Sequence, residues 1–136
     1  MKWKTITLSA LVILALDQTT KYLAQTYKPH SGILTYATNT GAAFSILQNQ
    51  TIILGIIGII AFIGMSYYAY TLKNPSLFVL LCLGVLLGGI IGNTYDRLFH
   101  GFVIDFIDLH YWPVFNIADS ATILGVIGLL YDSFTH

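Results

Sequence analysis

Four apolar segments alternate with polar stretches along the chain, at about 5–25, 51–72, 76–95 and 114–133. A helix needs about 20 residues to cross a hydrocarbon core of about 30 Å, and each segment meets or nearly meets that length. The pattern therefore predicts an all-α membrane protein with four transmembrane helices. We expect residues 1–136 to form one domain, without a separate soluble part.

The polar connections differ in length, and only the first and the third are long enough to have structure of their own. The first, residues 26–50, contains the β-prone run Gly32 to Thr38, followed by the turn-like residues Asn39 to Gly41. We expect a small β element there, a short strand or hairpin lying on the membrane. The second connection is the tight corner 73–75, and the third covers residues 96–113.

Charged residues make up only 9% of the chain and hydrophobic residues 56%, whereas soluble domains carry about 25% charged residues. A water-exposed surface cannot be built from so few charges. No basic tract points to nucleic acid as a partner. The single cysteine, Cys82, lies in an apolar run, so an intramolecular disulfide is excluded and a packing role is expected.

Lys2 and Lys4 precede an apolar stretch, an arrangement that imitates the start of a secretory signal peptide. No convincing small-residue cleavage site follows, and the three later segments need a first span to orient them. We therefore expect the first segment to remain as an uncleaved membrane anchor.

Basic residues do not orient the chain by number alone, because each face of the membrane has three: Lys2, Lys4 and Lys73 at one, and Lys21, Lys28 and Arg97 at or near the other. The first two precede the first span, and Lys73 lies in the shortest connection, where a basic residue has most influence. We therefore expect both termini and the 73–75 corner in the cytoplasm, and the two longer connections outside it.

Glycine recurs every four residues in the third segment, at Gly84, Gly88 and Gly92, with Gly89 beside them. This spacing places the glycines on one helix face. Small residues there let neighbouring backbones approach closely, which is how helices associate in lipid. We expect a packing role for this face.

Polar residues concentrate in the third connection and at its borders. Asp132 is the only one of the six acidic residues on the opposite side of the membrane. A charge at membrane depth costs about 2.5–3.5 kcal/mol on insertion scales, so this asymmetry indicates a functional site. The cluster consists of Asn93, Asp96, Arg97, His100, Asp105, Asp108, His110, Asn116 and Asp119, with Asp17 on the same side.

Several of these polar residues have two interpretations. Asp17 and Lys21 stand four residues apart near the outer end of the first helix, where they either neutralise each other or support a site. Asp119, one turn after Asn116, either caps the fourth helix or acts in a site, since a helix N-terminus favours a carboxylate. Asp105 lies among apolar residues, and desolvation there should raise its pKa.

Two carboxyl groups brought together at a membrane edge cannot easily both ionise, so they share a proton and titrate as a coupled pair. That is the chemistry of aspartic proteolysis. The ionised group takes a proton from the attacking water, while the protonated group polarises the scissile carbonyl and later helps to protonate the leaving amine. This chemistry requires no metal, cofactor or covalent intermediate.

Five sequence runs, in order along nearly the whole chain, resemble motifs of the lipoprotein signal peptidases, the type II signal peptidase family. Each run is weak alone, but together at the predicted segment ends they form a specific signal. Ile90 replaces an alanine common in the third run, which affects packing and removes no chemical group. The runs are residues 17–21 (DQTTK), 39–45 (NTGAAFS), 88–97 (GGIIGNTYDR), 101–106 (GFVIDF) and 115–120 (FNIADS).

The resemblance implies that Asp105 and Asp119 are the catalytic pair. It implies a four-helix membrane fold with a small extracytoplasmic β element, location in the bacterial inner membrane, and sensitivity to globomycin. The implied substrate is a prolipoprotein whose lipobox cysteine already carries diacylglycerol, cut on the N-terminal side of that cysteine. We expect a monomer acting on this substrate in the membrane lipid. The residues implied to shape or support the site are Asp17, Lys21, Asn39, Gly41, Asn93, Arg97 and Asn116.

Two other classes of function stay open at this point. A metal-dependent membrane hydrolase would use the zinc-ligand types His100, Asp105, Asp108 and His110, although their spacing matches no defensible metal motif. A proton or ion translocator would use the intramembrane acids, but the inner halves of the segments carry few polar groups. Serine or cysteine proteolysis is disfavoured, since no G-x-S-x-G elbow occurs and Cys82 is predicted deep in a span.

Overall fold

A computed structural model describes residues 2–42 and 46–135. Four helices and two short strands form the fold. Residues 43–45, which belong to the second of the five runs, lie outside the described residues. The elements are α1 (Lys2–Tyr27), β1 (Leu34–Asn39), α2 (Thr51–Thr71), α3 (Leu77–Phe99), β2 (Val103–Ile107) and α4 (Ile117–Thr135).

Helix α3 lies at the centre and packs against each of the other three helices. Its glycine face makes this packing possible, as the four-residue spacing predicts. A Cβ atom at Gly88 would lie 2.7 Å from the carbonyl oxygen of Ala10 in α1, and one at Gly89 would lie 2.5 Å from that of Ala118 in α4. The backbones of α1 and α4 therefore contact α3 where it has no side chains.

Within the described residues, three helices are long and apolar enough to cross a membrane: α2, α3 and α4. Helix α1 is longer than any of them but is not in this set, because residues 17–21 place two charged and three polar side chains in its second half. The outward side chains of α2, such as Ile52, Ile60 and Ile63, are exposed. Such a surface suits lipid.

Helix α3 extends further into the third connection than predicted, and α4 begins slightly later than predicted, at Ile117. Helix α3 runs to Phe99, so Asp96 and Arg97 lie in its last turns and the prediction that they belong to a loop was wrong. They stay helical because Asp96 faces the protein interior, where it has polar partners. The helix ends where Gly101, at φ +77°, donates its N–H to the Asp96 carbonyl.

The predicted β element exists, but its partner strand was not predicted. Strand β1 lies within the β-prone first connection, as expected, and pairs antiparallel with β2 from the third connection rather than with a local hairpin strand. Ala37 pairs with Asp105, and Asn39 with Val103. The sheet therefore joins the two longer connections and brings residues around position 39 beside residues around position 105.

The first residues of the chain lie at the other end of the bundle. Nζ of Lys2 donates to the carbonyl oxygens of Tyr70 and Leu72 at the end of α2, at 3.2 and 3.0 Å. The rings of Phe78 and Tyr131 lie 6.4 Å apart, so the C-terminal half of α4 is beside the start of α3. The start of α1, the 73–75 corner and the end of α4 therefore lie at one end of the bundle.

Candidate active site

Asp105 lies on β2 in a largely apolar setting and is 3% exposed. The strand carries it into the interior because Val103, Ile104 and Phe106 beside it are also buried. Two side-chain amides bind its carboxyl oxygens: Nδ2 of Asn39 donates to Oδ2 at 3.1 Å, and Nδ2 of Asn116 donates to Oδ1 at 2.8 Å.

Asp119 lies in the first turn of α4 and forms a capping box with Asn116. The Asn116 Oδ1 atom accepts the N–H of Asp119 at 2.9 Å, and Oδ2 of Asp119 accepts the N–H of Asn116 at 3.2 Å. The two side chains thus satisfy two backbone donors reciprocally at the start of the helix. Oδ1 of Asp119 accepts a further hydrogen bond from Nδ2 of Asn93 at 2.7 Å. Of the two interpretations of Asp119, the capping contacts are present, and they leave the carboxylate beside the interior of the site.

Asn116 bridges the two acids, since its amide binds Asp105 and its backbone N–H binds Asp119. Burial, with the negative charge of Asp119 as the next largest cause, raises the pKa of Asp105 to about 7. Hydrogen bonds from Asn39 and Asn116 and the charge of Lys21 act in the opposite direction. The predicted upward shift from desolvation is therefore confirmed.

A second group of charged side chains lies next to this pair of acids. The ammonium of Lys21 contacts Oδ2 of Asp17 at 2.7 Å, Oδ2 of Asp96 at 2.6 Å, and Oδ1 of Asn93 at 3.0 Å. Asp17 also accepts the backbone N–H of Ala118 at 2.9 Å. The structure supports both interpretations of Asp17 and Lys21, because they form an ion pair and Lys21 also contacts Asn93, which binds Asp119.

Arg97 links the first connection, residues 26–50, to Asp105 and Asp119. Its Nη2 donates to the carbonyl oxygen of Gly41 at 3.3 Å, and its guanidinium lies near Asp119, Asp105 and Asp96. The buried Nε atom has no hydrogen-bond partner among residues 2–42 and 46–135. One cation therefore faces several acids.

Comparison with known proteins gives the same family as the motifs. The family described as Signal peptidase (SPase) II matches residues 9–135. The chain belongs to the signal peptidase II family. A "Lipoprotein signal peptidase" of Moorella thermoacetica is 42% identical over 135 residues, covering 92% of this chain and 89% of the relative.

Other signal peptidase II comparisons extend to structure. A "Lipoprotein signal peptidase" of Caldanaerobacter subterraneus is 43% identical over 136 residues, covering 90% of this chain and 93% of the relative. A solved structure described as a bacterial membrane enzyme, with 32% identity, superposes with a TM-score of 0.88 and covers 96% of this chain and 88% of its own. The likeness therefore extends over nearly the whole chain, and the fold is that of a membrane enzyme.

The structure of this signal peptidase II family member gathers every predicted site residue into one hydrogen-bonded network. Lys21 and Asp17 connect to Asn93, Asn93 connects to Asp119 and Asn116, and Asn116 connects to Asp105. Asn39 binds Asp105 and, through its Oδ1 atom, accepts the N–H of Gly41 at 2.8 Å. Gly41 in turn accepts from Arg97.

Two residues of the network are absent from the predicted site. Asp96 contacts Lys21, and Gln18 donates to Asp17 and Asp96 at 3.1 and 3.2 Å. Asp96 was placed in the polar cluster but given no role. Its position three residues after Asn93, on the same helix face, was the signal that could have identified it.

The zinc-ligand types of the rival metal site do not come together. Nδ1 of His100 is 3.5 Å from Asp96, whereas Nδ1 of His110 is 3.5 Å from Asp108. In the part of the chain that the structure describes, no group of three histidine, cysteine or acidic side chains could bind a metal ion. The geometry therefore favours the pair of acids over a metal centre.

Proposed function

We propose that this chain is a membrane aspartyl endopeptidase that removes signal peptides from diacylglyceryl-modified prolipoproteins, cutting on the N-terminal side of the lipidated cysteine. Membership of the signal peptidase II family and relatives named lipoprotein signal peptidases support the substrate. The observation that carries the chemistry is the pair Asp105 and Asp119, which one residue, Asn116, bridges.

The surroundings of the two acids suggest different roles. Both carboxyl oxygens of Asp119 accept N–H donors, from Asn93 and from the Asn116 backbone. Asp105 has a pKa raised to about 7 by burial, so much of it carries a proton near neutral pH. Asp119 is therefore the base and Asp105 the acid.

Proteolysis follows from these roles in two steps. The oxygen of a water molecule bonds to the scissile carbonyl carbon while Asp119 takes a proton from that water. Asp105 donates a hydrogen bond to the carbonyl oxygen. The tetrahedral intermediate then collapses, the C–N bond breaks, and the leaving nitrogen receives a proton from the pair. Arg97 lies close enough to offset the negative charge that gathers in the site.

The membrane arrangement is part of the proposal. We place α1 across the membrane with the three other helices, since its 26 residues are long enough and Asp17 and Lys21 are buried rather than exposed to lipid. The termini then lie in the cytoplasm, and the acids lie at the extracytoplasmic edge of a bacterial inner membrane. A substrate held by its acyl chains reaches that edge directly. Accessibility of single cysteines introduced at positions 30 and 74, in a Cys82→Ser background, to an impermeant thiol reagent tests this orientation.

The function is tested with a purified chain and a synthetic diacylglyceryl prolipoprotein peptide. We expect Asp105→Asn and Asp119→Asn each to abolish cleavage while the protein still inserts into membranes. Asp108→Asn is the matched control, because this acid binds the N–H of His110 in its own loop, and it should cleave normally. Turnover by either Asn variant of the pair would refute the assignment.

Two further expectations accompany the proposal. Globomycin should protect the substrate from cleavage. Because one chain provides every residue of the network, a monomer should suffice, and activity per chain should not change when the enzyme is diluted in detergent.

A further inference from the structure

The ammonium of Lys21 uses all of its hydrogen-bonding capacity inside the protein. It is 3% exposed and donates to Asp17, Asp96 and Asn93. An ammonium has three N–H donors, and three acceptors occupy them. Lys21 therefore has no donor left for a substrate or for either acid of the pair, and any hydrogen-bonded influence it has on them passes through another residue.

The residue through which Lys21 can act is Asn93. A lysine ammonium only donates, so the Asn93 atom that faces it at 3.0 Å must be the amide oxygen. The same oxygen accepts from Nδ2 of Asn116 at 3.1 Å. The amide nitrogen of Asn93 then points the other way, towards Oδ1 of Asp119 at 2.7 Å. A flipped amide would place an N–H against Lys21 and an oxygen against a carboxylate.

We propose that Lys21 is a positioning residue that fixes the Asn93 amide in the orientation that presents an N–H to Asp119, and that Asp96 keeps Lys21 in place for this task. This inference rests on the proposed proteolytic function and deepens it. Neutralising Asp17 would need one contact only, whereas Lys21 reaches across to α3 for two more. Asp96 is thereby assigned a role that the motifs alone do not reveal.

The consequence concerns the position of Asp119. The Asn93 donor holds one carboxyl oxygen of Asp119 in place at 2.7 Å. Without a fixed amide, this donor is lost for part of the time, and the proposed base is held less firmly against the attacking water. The charged groups that lie around the site on the elements packed there are Asp17 and Lys21 of α1, Asp96 and Arg97 of α3, and Asp105 of β2.

The experiment compares kcat and KM of peptide cleavage. Lys21→Met combined with Asp96→Asn removes the ammonium and keeps the formal charge of the group at minus one, because one of its two carboxylates is removed with it. We expect kcat to fall roughly 10- to 100-fold, as it does when an outer-shell partner that orients a metal ligand is removed. KM should stay nearly constant, since the Lys21 ammonium has no donor left for a substrate.

Repeating the measurement in an Asn93→Ala background isolates the route. If Lys21 acts through Asn93, the double substitution should lower kcat no further there. An equal loss of kcat in both backgrounds, or no loss in the first, would overturn the inference. Thr20→Ala is the matched control, since the Thr20 hydroxyl binds only carbonyl oxygens of α1, and it should leave kcat unchanged.

Two checks keep these outcomes separate from folding and from the proposed function. If the double variant does not fold, Asp96→Asn alone, which retains the Lys21–Asp17 pair, should give a smaller loss of kcat, and the absence of any loss would count against the inference. A wild-type chain that cleaves, with the kcat of the variant unchanged, would refute the role of Lys21 only. A wild-type chain that does not cleave lipidated peptide would refute the proposed function.

Discussion

Oδ1 of Asp17 accepts a hydrogen bond from the backbone N–H of Ala118 at 2.9 Å, across 101 positions of sequence. The N–H groups in the first turn of a helix have no partner within the helix. A side chain of α1 therefore supplies one cap for α4, and the next residue of α4 is Asp119. The position of the proposed base depends on contact between the first and last helices.

Substitution of Asp17 should measure this contact. Asp17→Ala removes the acceptor and leaves the Ala118 N–H buried, which should lower the free energy of unfolding by about 1–3 kcal/mol. Asp17→Asn keeps an acceptor oxygen and should cost less. Thermal unfolding in detergent is the measurement, with Thr20→Ala as a control at a half-buried position of the same helix whose hydroxyl binds only α1 carbonyls. Equal stability of the Ala and Asn variants would contradict the capping role.

Gly92 and Gly64 offer a matched pair of glycine-to-alanine changes. A Cβ atom at Gly92 would lie 2.5 Å from Oδ2 of Asp17, whereas one at Gly64 would have nothing within 4 Å. We expect Gly92→Ala to destabilise the protein by about 1–3 kcal/mol through overpacking and to reduce cleavage. Gly64→Ala should be neutral or slightly stabilising, because alanine favours the helix. Similar losses in both variants would refute the importance of this close approach.

Activity should depend on pH through Asp105. Its pKa is raised from 3.8 to about 7, first by burial and then by Asp119, so kcat/KM should fall as the pH rises through about 7 and the acid loses its proton. The same shift means that the contribution of Asp105 to folding stability is complete below pH 3.8 and is lost as the pH rises to about 7. A profile that stays level up to pH 9 would contradict the role of Asp105 as the acid.

Asn39 provides an independent check of that alkaline limb. Its hydrogen bond lowers the pKa of Asp105 against the larger effect of burial. Asn39→Ala should therefore move the alkaline limb to higher pH. The value of kcat/KM should also fall, because Asn39 orients the first connection at Gly41. The measurement is kcat/KM across pH 5 to 10, with Asp108→Asn as the reference. A limb that moves to lower pH would reverse the assigned effect of the bond.

Chelators separate the pair of acids from a metal mechanism. Two carboxyl groups that exchange a proton need no cation, so cleavage should be unchanged after dialysis against EDTA. Loss of activity that zinc restores would favour the rival site built from His100 and His110. A His100→Gln, His110→Gln double variant should then be inactive, whereas the proposed mechanism predicts that it cleaves.

Much of the site could be predicted from the sequence because membrane segments make polar residues conspicuous. Asp17, Asn93 and Asp119 stand in or beside apolar helices, where a charged or amide side chain needs a specific partner. Four-residue glycine spacing likewise predicted the packing face of α3. The last turns of α3 were assigned to a loop, because Asp96 and Arg97 look like surface residues until their buried partners are known.

The sequence by itself determined that this is a membrane protein, which segments form helices, and which acidic residues lie at the same end of the helices. These properties follow from local composition and periodicity. Only the tertiary structure decided that β1 pairs with β2, that Asn116 joins Asp105 to Asp119, and that Lys21 reaches Asn93 on another helix. The edge of a strand can pair with any strand of suitable register, and a side-chain amide can adopt either of two orientations. The observed strand pairing and amide orientations therefore depend on contacts that form only when the whole chain has packed.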